Sequence, residues 1–187
     1  MRHFPSLTPH NSAGQPALEI VCVEQNPDYL ALGKMVLPEA TWILANVLDL
    51  PATLGKFDCA IANPPFGRIR STGAAPRYKG GEFEYAVIDV ASDIAKFGVF
   101  LIPQASAPFS YSGCRNFQET LSSKYVRFQE MTGITLENNC GLDTSVSLAD
   151  WHGVSVATEI VIADFADVQQ KRLEASQPIQ AALFAAA

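Results

Sequence analysis

The sequence predicts an α/β fold with a mostly parallel sheet, and three features of its patterning favour this class. Short apolar runs of strand length recur along the 187 residues, among them IVCVE (20–24) and FDCAIAN (57–63). Segments of helical periodicity lie between such runs, the clearest being EFEYAVIDVASDIAKFG (82–98). Strands that alternate with helices are typical of a layered parallel sheet. Towards the end, two strand patterns follow each other without a helix, which predicts a closing antiparallel hairpin.

Each predicted element follows from a local signal. The strand at 20–24 leads to a helix that opens at Asn26 and Pro27, because an Asn cap and an early proline suit a helix N-terminus. Between 82 and 98 the apolar residues recur at helical spacing, and Gly98 stands where a helix would stop. The other predicted elements are strands at 41–47, 57–63, 98–103, 126–132 and 154–165, a short helix at 116–125, and a helix or tail from Lys171.

Length and composition predict one soluble globular domain. The chain is 48% hydrophobic and 17% charged, as folded domains are. We expect an irregular segment at 1–16, a domain at 17–168 and a helix or tail at 169–187. A membrane helix needs about 18 consecutive apolar residues, and no stretch of the sequence approaches that length. The first residues also lack the apolar core of a signal peptide. The expected location is therefore cytoplasmic, without a membrane partner.

Charge and metal-ligand residues exclude some classes of function. The net charge of −6 argues against a protein that coats nucleic acid nonspecifically. The four cysteines form no C-x-x-C pair and the three histidines lie far apart, so we expect reduced thiols and no metal. One segment differs from the acidic chain as a whole. Residues 68–79 contain no acidic residue and carry the cations Arg68, Arg70, Arg77 and Lys79. This segment is either a solvated loop or a surface that contacts phosphates.

The apolar run at 57–63 ends on Asn63-Pro64-Pro65-Phe66, which is the most informative motif of the chain. Prolines fix φ and lack an N–H, so Asn63 should be held rigidly and face outward. The Asn63 side-chain oxygen and the Pro64 carbonyl then form two fixed acceptors beside the aromatic face of Phe66. Such a set suits a planar group that bears NH₂, such as the amino edge of adenine. The alternative is a strand stopped by a simple Asn-Pro turn.

Two other strand ends carry polar side chains. Glu24 ends the apolar strand in VCVEQNPDY, and a carboxylate at such a position can accept hydrogen bonds from ribose hydroxyls. In WILANVLDL, Asn46 or Asp49 is placed to contact a base edge. Ligands of open α/β sheets bind at the carboxyl ends of the strands, so these residues are candidates for a nucleoside site.

Asn63-Pro64-Pro65-Phe66 after a hydrophobic strand resembles the signature of amino-group methyltransferases that use S-adenosylmethionine. VCVEQNPDY precedes it in the right order and resembles the cofactor-ribose strand of that family. The similarity covers roughly residues 17–165 and implies a class I, Rossmann-like methyltransferase fold. The tetrapeptide implies methylation of adenine N6 in DNA. The alternatives are an amino group of RNA or another base, and a non-catalytic remnant or partner subunit.

The resemblance implies a role for each candidate residue. The flipped-out base would donate its amine hydrogens to Asn63 and Pro64, and methyl transfer would be a direct in-line displacement. Glu24 would hold the cofactor ribose, and Asn46, with Asp49 as its substitute, would hold the cofactor adenine. The basic segment would face the phosphate backbone of DNA or RNA.

The family's glycine-rich loop has no clear counterpart. The one glycine upstream of Glu24 is Gly14, and the nine residues between them leave no room for a strand and a helix. We therefore expect the first strand and helix to be missing and cofactor binding to be weak. Residues 1–10 could fill the empty position, the flanking strands could close up, or a second copy or complementing chain could complete the sheet.

Overall fold

The computed structural model describes residues 18–50, 54–70, 73–138, 141–150 and 156–176. No helix in these ranges combines the length and the apolar character that a bilayer crossing requires. The described helices are α1 (Pro27–Val36), α2 (Phe83–Ile94), α3 (Ser123–Thr132) and α4 (Ala166–Ser176). The described strands are β1 (Val21–Glu24), β2 (Thr41–Leu44), β3 (Phe57–Ala62), β4 (Ala95–Pro103), β5 (Phe109–Ser110), β6 (Gln118–Glu119), β7 (Glu137–Asn138) and β8 (Thr158–Asp164).

The chain divides into two compact units, and the first comprises Met1–Val47. In it β1 and β2 pair in parallel, and α1 connects them. The Asn26 side chain caps α1 by accepting from the Asp28 amide at 2.9 Å, which confirms the predicted helix start. Trp42 of β2 packs so closely on Gly33 that a Cβ there would lie 2.1 Å from the indole ring, so this contact requires glycine.

The second unit, Leu48–Ala187, contains a four-stranded sheet in the order β3-β4-β8-β7. β3 and β4 run parallel, and β8 runs antiparallel to β4 and to β7. The predicted α/β class and the antiparallel completion of the sheet are confirmed. Because β3 and β4 are parallel, the segments that follow Ala62 and Pro103 leave the sheet at the same edge.

Aromatic side chains dominate the core of the second unit. Tyr85 of α2 stacks on Phe128 of α3 with ring centroids 4.4 Å apart, and Tyr78 meets Phe128 edge-on at 5.7 Å. Phe100 of β4 and Phe165 are fully buried on the sheet side. The helix α2 is buried over most of its circumference, and its buried residues include Glu84 and Asp89 beside the apolar side chains.

The predicted helix at 82–98 was too long at its C-terminal end. The helix ends at Ile94, and β4 begins at Ala95, opposite Phe57 of β3. The apolar residues after Ile94 fit both the helical and the strand periodicity. They form a strand because they pair with β3. Gly98 is therefore not a helix stop, because it lies inside β4, where a Cβ would come within 2.2 Å of the Phe100 ring.

The strand predicted at 126–132 was wrong. Residues 123–132 form α3, which Ser122 caps by accepting from the Tyr125 amide and which ends at Gly133 with φ of 72°. Its buried residues Tyr125, Phe128 and Thr132 recur at helical spacing. The helix predicted at 116–125 gives way to β6 and the start of α3.

The boundaries of the last two elements also moved. The described strand β8 lies within the predicted 154–165 run, whose residues 154 and 155 fall outside the described residues, and α4 begins before Lys171. In chain order they occupy Thr158–Asp164 and Ala166–Ser176.

Among the strands at sheet edges in the described part of the chain are β1 and β3. There β1 pairs only with β2, and β3 pairs only with β4. Ile61 of β3 is 77% exposed, although FDCAIA is an apolar strand sequence. No residue of α1 is buried, and Val36 is 84% exposed. These exposed apolar residues accord with the expected absence of a first strand and helix, which stays a prediction.

Glu159→Ala should destabilise the chain strongly. The buried Glu159 carboxylate accepts four hydrogen bonds, from Gln104 Nε2, the Tyr111 amide, and the Ser112 amide and hydroxyl, at 2.6–2.8 Å. Without it the buried amide and hydroxyl of Ser112 lose their acceptor and the Tyr111 amide and Gln104 Nε2 each lose a hydrogen bond, at a cost on the order of 3 kcal/mol. Urea unfolding measures the change. Glu137→Ala, at an exposed glutamate of β7, is the control and should change stability by less than about 0.5 kcal/mol; equal losses would contradict this account.

Candidate functional site

The tetrapeptide 63–66 follows β3 directly, forms neither helix nor strand and leads to a bend at Gly67; we refer to it as the turn 63–66. Asn63 and Pro65 are exposed, Pro64 is buried and Phe66 is half-buried. Within the described residues the Asn63 side chain makes no hydrogen bond, so its oxygen is available to a ligand. The buried Pro64 anchors the turn, while the amide and the ring on either side of the prolines reach the surface. This is the outward arrangement of Asn63 that the sequence predicts.

The turn is held at Gly67, which follows it. Gly67 has φ of 77°, a conformation that glycine adopts without strain. Its N–H donates to Glu84 Oε2 at 2.9 Å, and its carbonyl accepts from the Phe83 amide at 2.9 Å. Both polar groups of the Gly67 backbone are thus bonded to the first turn of α2.

The same helix turn also holds the segment that follows β4. Glu84 Oε1 accepts from the Ser106 hydroxyl at 2.8 Å, and the Tyr85 hydroxyl donates to the Ser106 carbonyl at 2.6 Å. Glu84 is 1% exposed and Ser106 is 2% exposed. Burial raises the pKa of Tyr85, so its hydroxyl remains a donor. Glu84 therefore links the two segments that leave the sheet at this edge.

Of the four predicted phosphate-contacting cations, Arg68 and Arg70 are exposed next to the turn. Arg77 is engaged elsewhere, since its guanidinium pairs with Asp89 at 3.3 Å and with Asp93 at 3.0 Å. Asp89 also accepts from the Arg77 amide at 2.6 Å. Arg77 thus has a structural task in the loop.

Lys79 is also bonded within the loop, because its ammonium donates to the Ala75 carbonyl at 2.7 Å. Beside it, the Tyr78 hydroxyl donates to Glu82 at 2.5 Å, and Lys124 lies 3.4 Å from the same carboxylate. Burial acts to raise the pKa of Glu82, but the hydrogen bond from Tyr78 and the charge of Lys124 lower it below its usual value. As nucleic-acid contacts, all four cations stay predictions.

The predicted cofactor residues fall in both units. Glu24 ends β1, and its Oε1 accepts from the Asn26 amide at 2.7 Å. Its Oε2 makes no hydrogen bond within the described ranges. Asn46 follows β2 in the first unit, whereas Asp49 belongs to the second, where it approaches Gly73. Gly14 lies outside the described residues. These cofactor roles remain untested.

Two of the cavities formed by described residues of the second unit bear on the site. The larger, of about 410 Å³, lies beside the C-terminal end of α2 and is lined by residues that include Leu48, Val90 and Ile94. The other, of about 290 Å³, opens where β4 ends and β8 begins, next to Gln104 and Thr158. Because Gln104 follows β4, the second cavity lies at the same sheet edge as the turn 63–66. Neither is lined by Phe66.

Sequence reasoning missed the buried acids that shape this edge. Glu84 and Glu159 are 1% and 0% exposed, and each accepts hydrogen bonds from loops that leave the sheet. A signal was present, because both lie among residues of strongly apolar character, in FEYAVIDV and TEIVIAD. A glutamate that is buried needs partners, so its place in an apolar pattern marks a structural or functional role.

Comparisons with known proteins give similarity to solved structures only. No family model and no curated protein matches the chain. A Thermoplasma acidophilum protein is similar with a TM-score of 0.42 and 16% identity, covering 79% of this chain and 65% of that one. A TehB-like SAM-dependent methyltransferase from Corynebacterium glutamicum gives 0.41 and 11%, with coverages of 78% and 67%. An rRNA methylase from Streptococcus thermophilus gives 0.42 and 10%, with coverages of 78% and 74%. The chain thus spans about two thirds of the length of the first two.

Tyr78→Phe should reduce stability more at pH 7 than at pH 3. The folded pKa of Glu82 lies below its unfolded value, so its stabilisation is present above the unfolded pKa, near 4.5, and is lost as the pH falls through the folded pKa. The variant removes the Tyr78 hydrogen bond that contributes to this lowering. Urea unfolding at both pH values measures the difference. Tyr29→Phe, at a tyrosine that is 63% exposed, is the control and should show no pH-dependent effect; a Tyr78→Phe loss that grows at pH 3 would contradict the argument.

Proposed function

We propose that this protein is an S-adenosylmethionine-dependent methyltransferase that acts on the N6 amino group of adenine in DNA. The observation that carries the proposal is the turn 63–66, in which an exposed asparagine amide, with no hydrogen-bond partner among the residues that the structure describes, stands near a half-buried aromatic ring. A planar base that stacks on Phe66 can donate one amine hydrogen to Asn63 and another to the Pro64 carbonyl.

The residues of the turn act by positioning the amine. Two acceptors at fixed places favour a nitrogen whose lone pair points away from them, towards the methyl donor. S-adenosylmethionine would supply the methyl group: the amine nitrogen would form its bond to the methyl carbon as the carbon–sulfur bond breaks, and the sulfur would keep the electron pair of that bond. The amine then releases a proton to solvent. The chain contributes orientation, and correct orientation alone can be worth several kcal/mol of the barrier.

The fit of the cofactor rests on Glu24. Its carboxylate stands at the end of a parallel strand and keeps one oxygen free of hydrogen bonds within the described ranges, as a ribose contact requires. Glu24 would therefore hold the ribose hydroxyls. Gly14, the residue predicted to belong to the glycine-rich loop that lets backbone approach a cofactor closely, lies outside the described residues.

A nucleic acid is the proposed substrate class because two cations that have no hydrogen-bond or ion-pair partner among the described residues follow the turn. Arg68 and Arg70 are exposed within a few residues of Phe66, where the backbone of a flipped nucleotide would pass. RNA offers the same adenine amine and phosphates, so it is the alternative outcome of the test below. A partner subunit without activity is the second candidate, and the exposed apolar residues of α1 favour it.

Asn63→Ala should lower methyl transfer by at least about 100-fold, the effect of removing one fixed polar group from a preorganised site. Transfer of radiolabelled methyl groups from S-adenosylmethionine to DNA and to RNA, in parallel reactions, is the measurement. Asn116→Ala, at an exposed asparagine of a loop, is the matched control and should transfer at the wild-type rate. Equal incorporation by Asn63→Ala and wild type would contradict the chemistry, and incorporation into RNA alone would replace the DNA substrate.

The unmodified chain should bind S-adenosylmethionine weakly. In the given sequence nine residues separate Gly14 from Glu24, fewer than a glycine-rich loop followed by a helix needs, so we expect this chain to make few of the close backbone contacts that such a loop provides. Isothermal titration calorimetry of the purified chain measures the affinity. The expected dissociation constant is well above the micromolar range, and a value of about 1 μM or lower would contradict this prediction.

A further inference from the structure

We propose that Glu84 is a positioning residue that holds the turn 63–66 through Gly67. The inference rests on the proposed function. It states that α2 fixes the positions of the Asn63 amide and the Phe66 ring. Glu84 need not touch a substrate. Its effect would pass through one backbone amide, which follows Phe66 directly in the chain.

The geometry gives Glu84 two separate tasks. One oxygen accepts from the Gly67 amide at 2.9 Å and the other from the Ser106 hydroxyl at 2.8 Å. The carboxylate is 1% exposed, so water does not replace either donor. The segments after β3 and after β4 are consequently tied to one side chain, and the tie is at the edge of the sheet where the turn lies.

The bond to Gly67 matters because the turn has few other restraints beyond its prolines. Among the described residues, Asn63 makes no side-chain hydrogen bond and Pro65 is exposed. Gly67 itself has φ of 77°, and a glycine released from its partner has access to many other conformations. If the Gly67 amide is freed, the exit of the turn loses one of its two hydrogen bonds to α2 and keeps only the bond from the Phe83 amide to the Gly67 carbonyl, which leaves its direction less restrained. The Phe66 ring, one residue before it, moves with it.

Asp89 offers a natural comparison on the same helix. It is also buried, at 0% exposure, and accepts backbone amides, those of Arg77 and Tyr78 at 2.6 and 2.8 Å. Both acids are buried acceptors for loop amides, and they differ in which loop they hold. A purely structural role for Glu84 would make the two residues equivalent, whereas a positioning role makes Glu84 alone matter for the turn.

Amide hydrogen exchange in the full-length chain, followed by NMR, tests the proposal. In Glu84→Ala and in Glu84→Asp, whose carboxylate is one methylene too short to reach both donors, exchange at the Gly67 amide should accelerate about 10- to 100-fold, as expected for a lost charged hydrogen bond. Glu84→Gln should stay within about threefold, because its oxygen can accept from Gly67 while its NH₂ donates to the Ser106 hydroxyl. Asp89→Ala should accelerate the Arg77 and Tyr78 amides and leave Gly67 unchanged.

Methyl transfer by the same variants separates positioning from stability. At a temperature where all are folded, Glu84→Ala should lower kcat at least about 10-fold with KM for S-adenosylmethionine within twofold, and Asp89→Ala should keep the wild-type kcat. Unchanged Gly67 exchange in Glu84→Ala and Glu84→Asp overturns the proposal, as does an unchanged kcat with faster exchange. If the wild-type chain methylates neither DNA nor RNA, the proposed function is wrong. Faster exchange at Gly67 in the Glu84 variants would still support the hydrogen bond between Glu84 and the Gly67 amide as the restraint on the turn.

Discussion

The arrangement of the site depends on one constraint: the backbone of Gly67 is bonded at both of its polar groups to the first turn of α2. The strand β3 ends at this edge of the sheet and the prolines prevent its continuation, but neither feature determines the direction of the chain after the prolines. The contact with α2 does. Because α2 is itself buried against the sheet, the hydrogen bonds to α2 attach the turn to the packed core.

Buried carboxylates organise the loops of the second unit in a consistent manner. Glu84, Asp89 and Glu159 are each at most 1% exposed, and each accepts backbone amides from a segment outside the sheet ladders. A loop has few partners for its own amides, so a carboxylate from the core supplies an acceptor that secondary structure does not. Buried carboxylates of this kind accept hydrogen bonds from the turn, from the basic loop and from the residues that line the cavity beside Gln104.

The parts of the fold that sequence predicts are those with local causes. The Asn26 cap, the strand that ends at Asn63 and the stiff diproline turn follow from the residues at those positions. The end of α2 does not, because Ala95 begins a strand only by virtue of its pairing with Phe57. The strand predicted at 126–132 failed for a similar reason, since Tyr125 and Phe128 pack as one helical face against α2. Glu84 joins residues 17 and 22 positions away, and a linear pattern does not reveal such contacts.

The central claim is that the turn 63–66 is rigid and presents its asparagine outward. Backbone ¹⁵N relaxation measures this directly at Asn63, Phe66 and Gly67, whose amides bracket the prolines. A turn fixed as described should give order parameters of about 0.85 at all three amides, the value of rigid backbone. Values below about 0.6 at Phe66 and Gly67 would contradict the account, because a mobile turn cannot hold an amine in place.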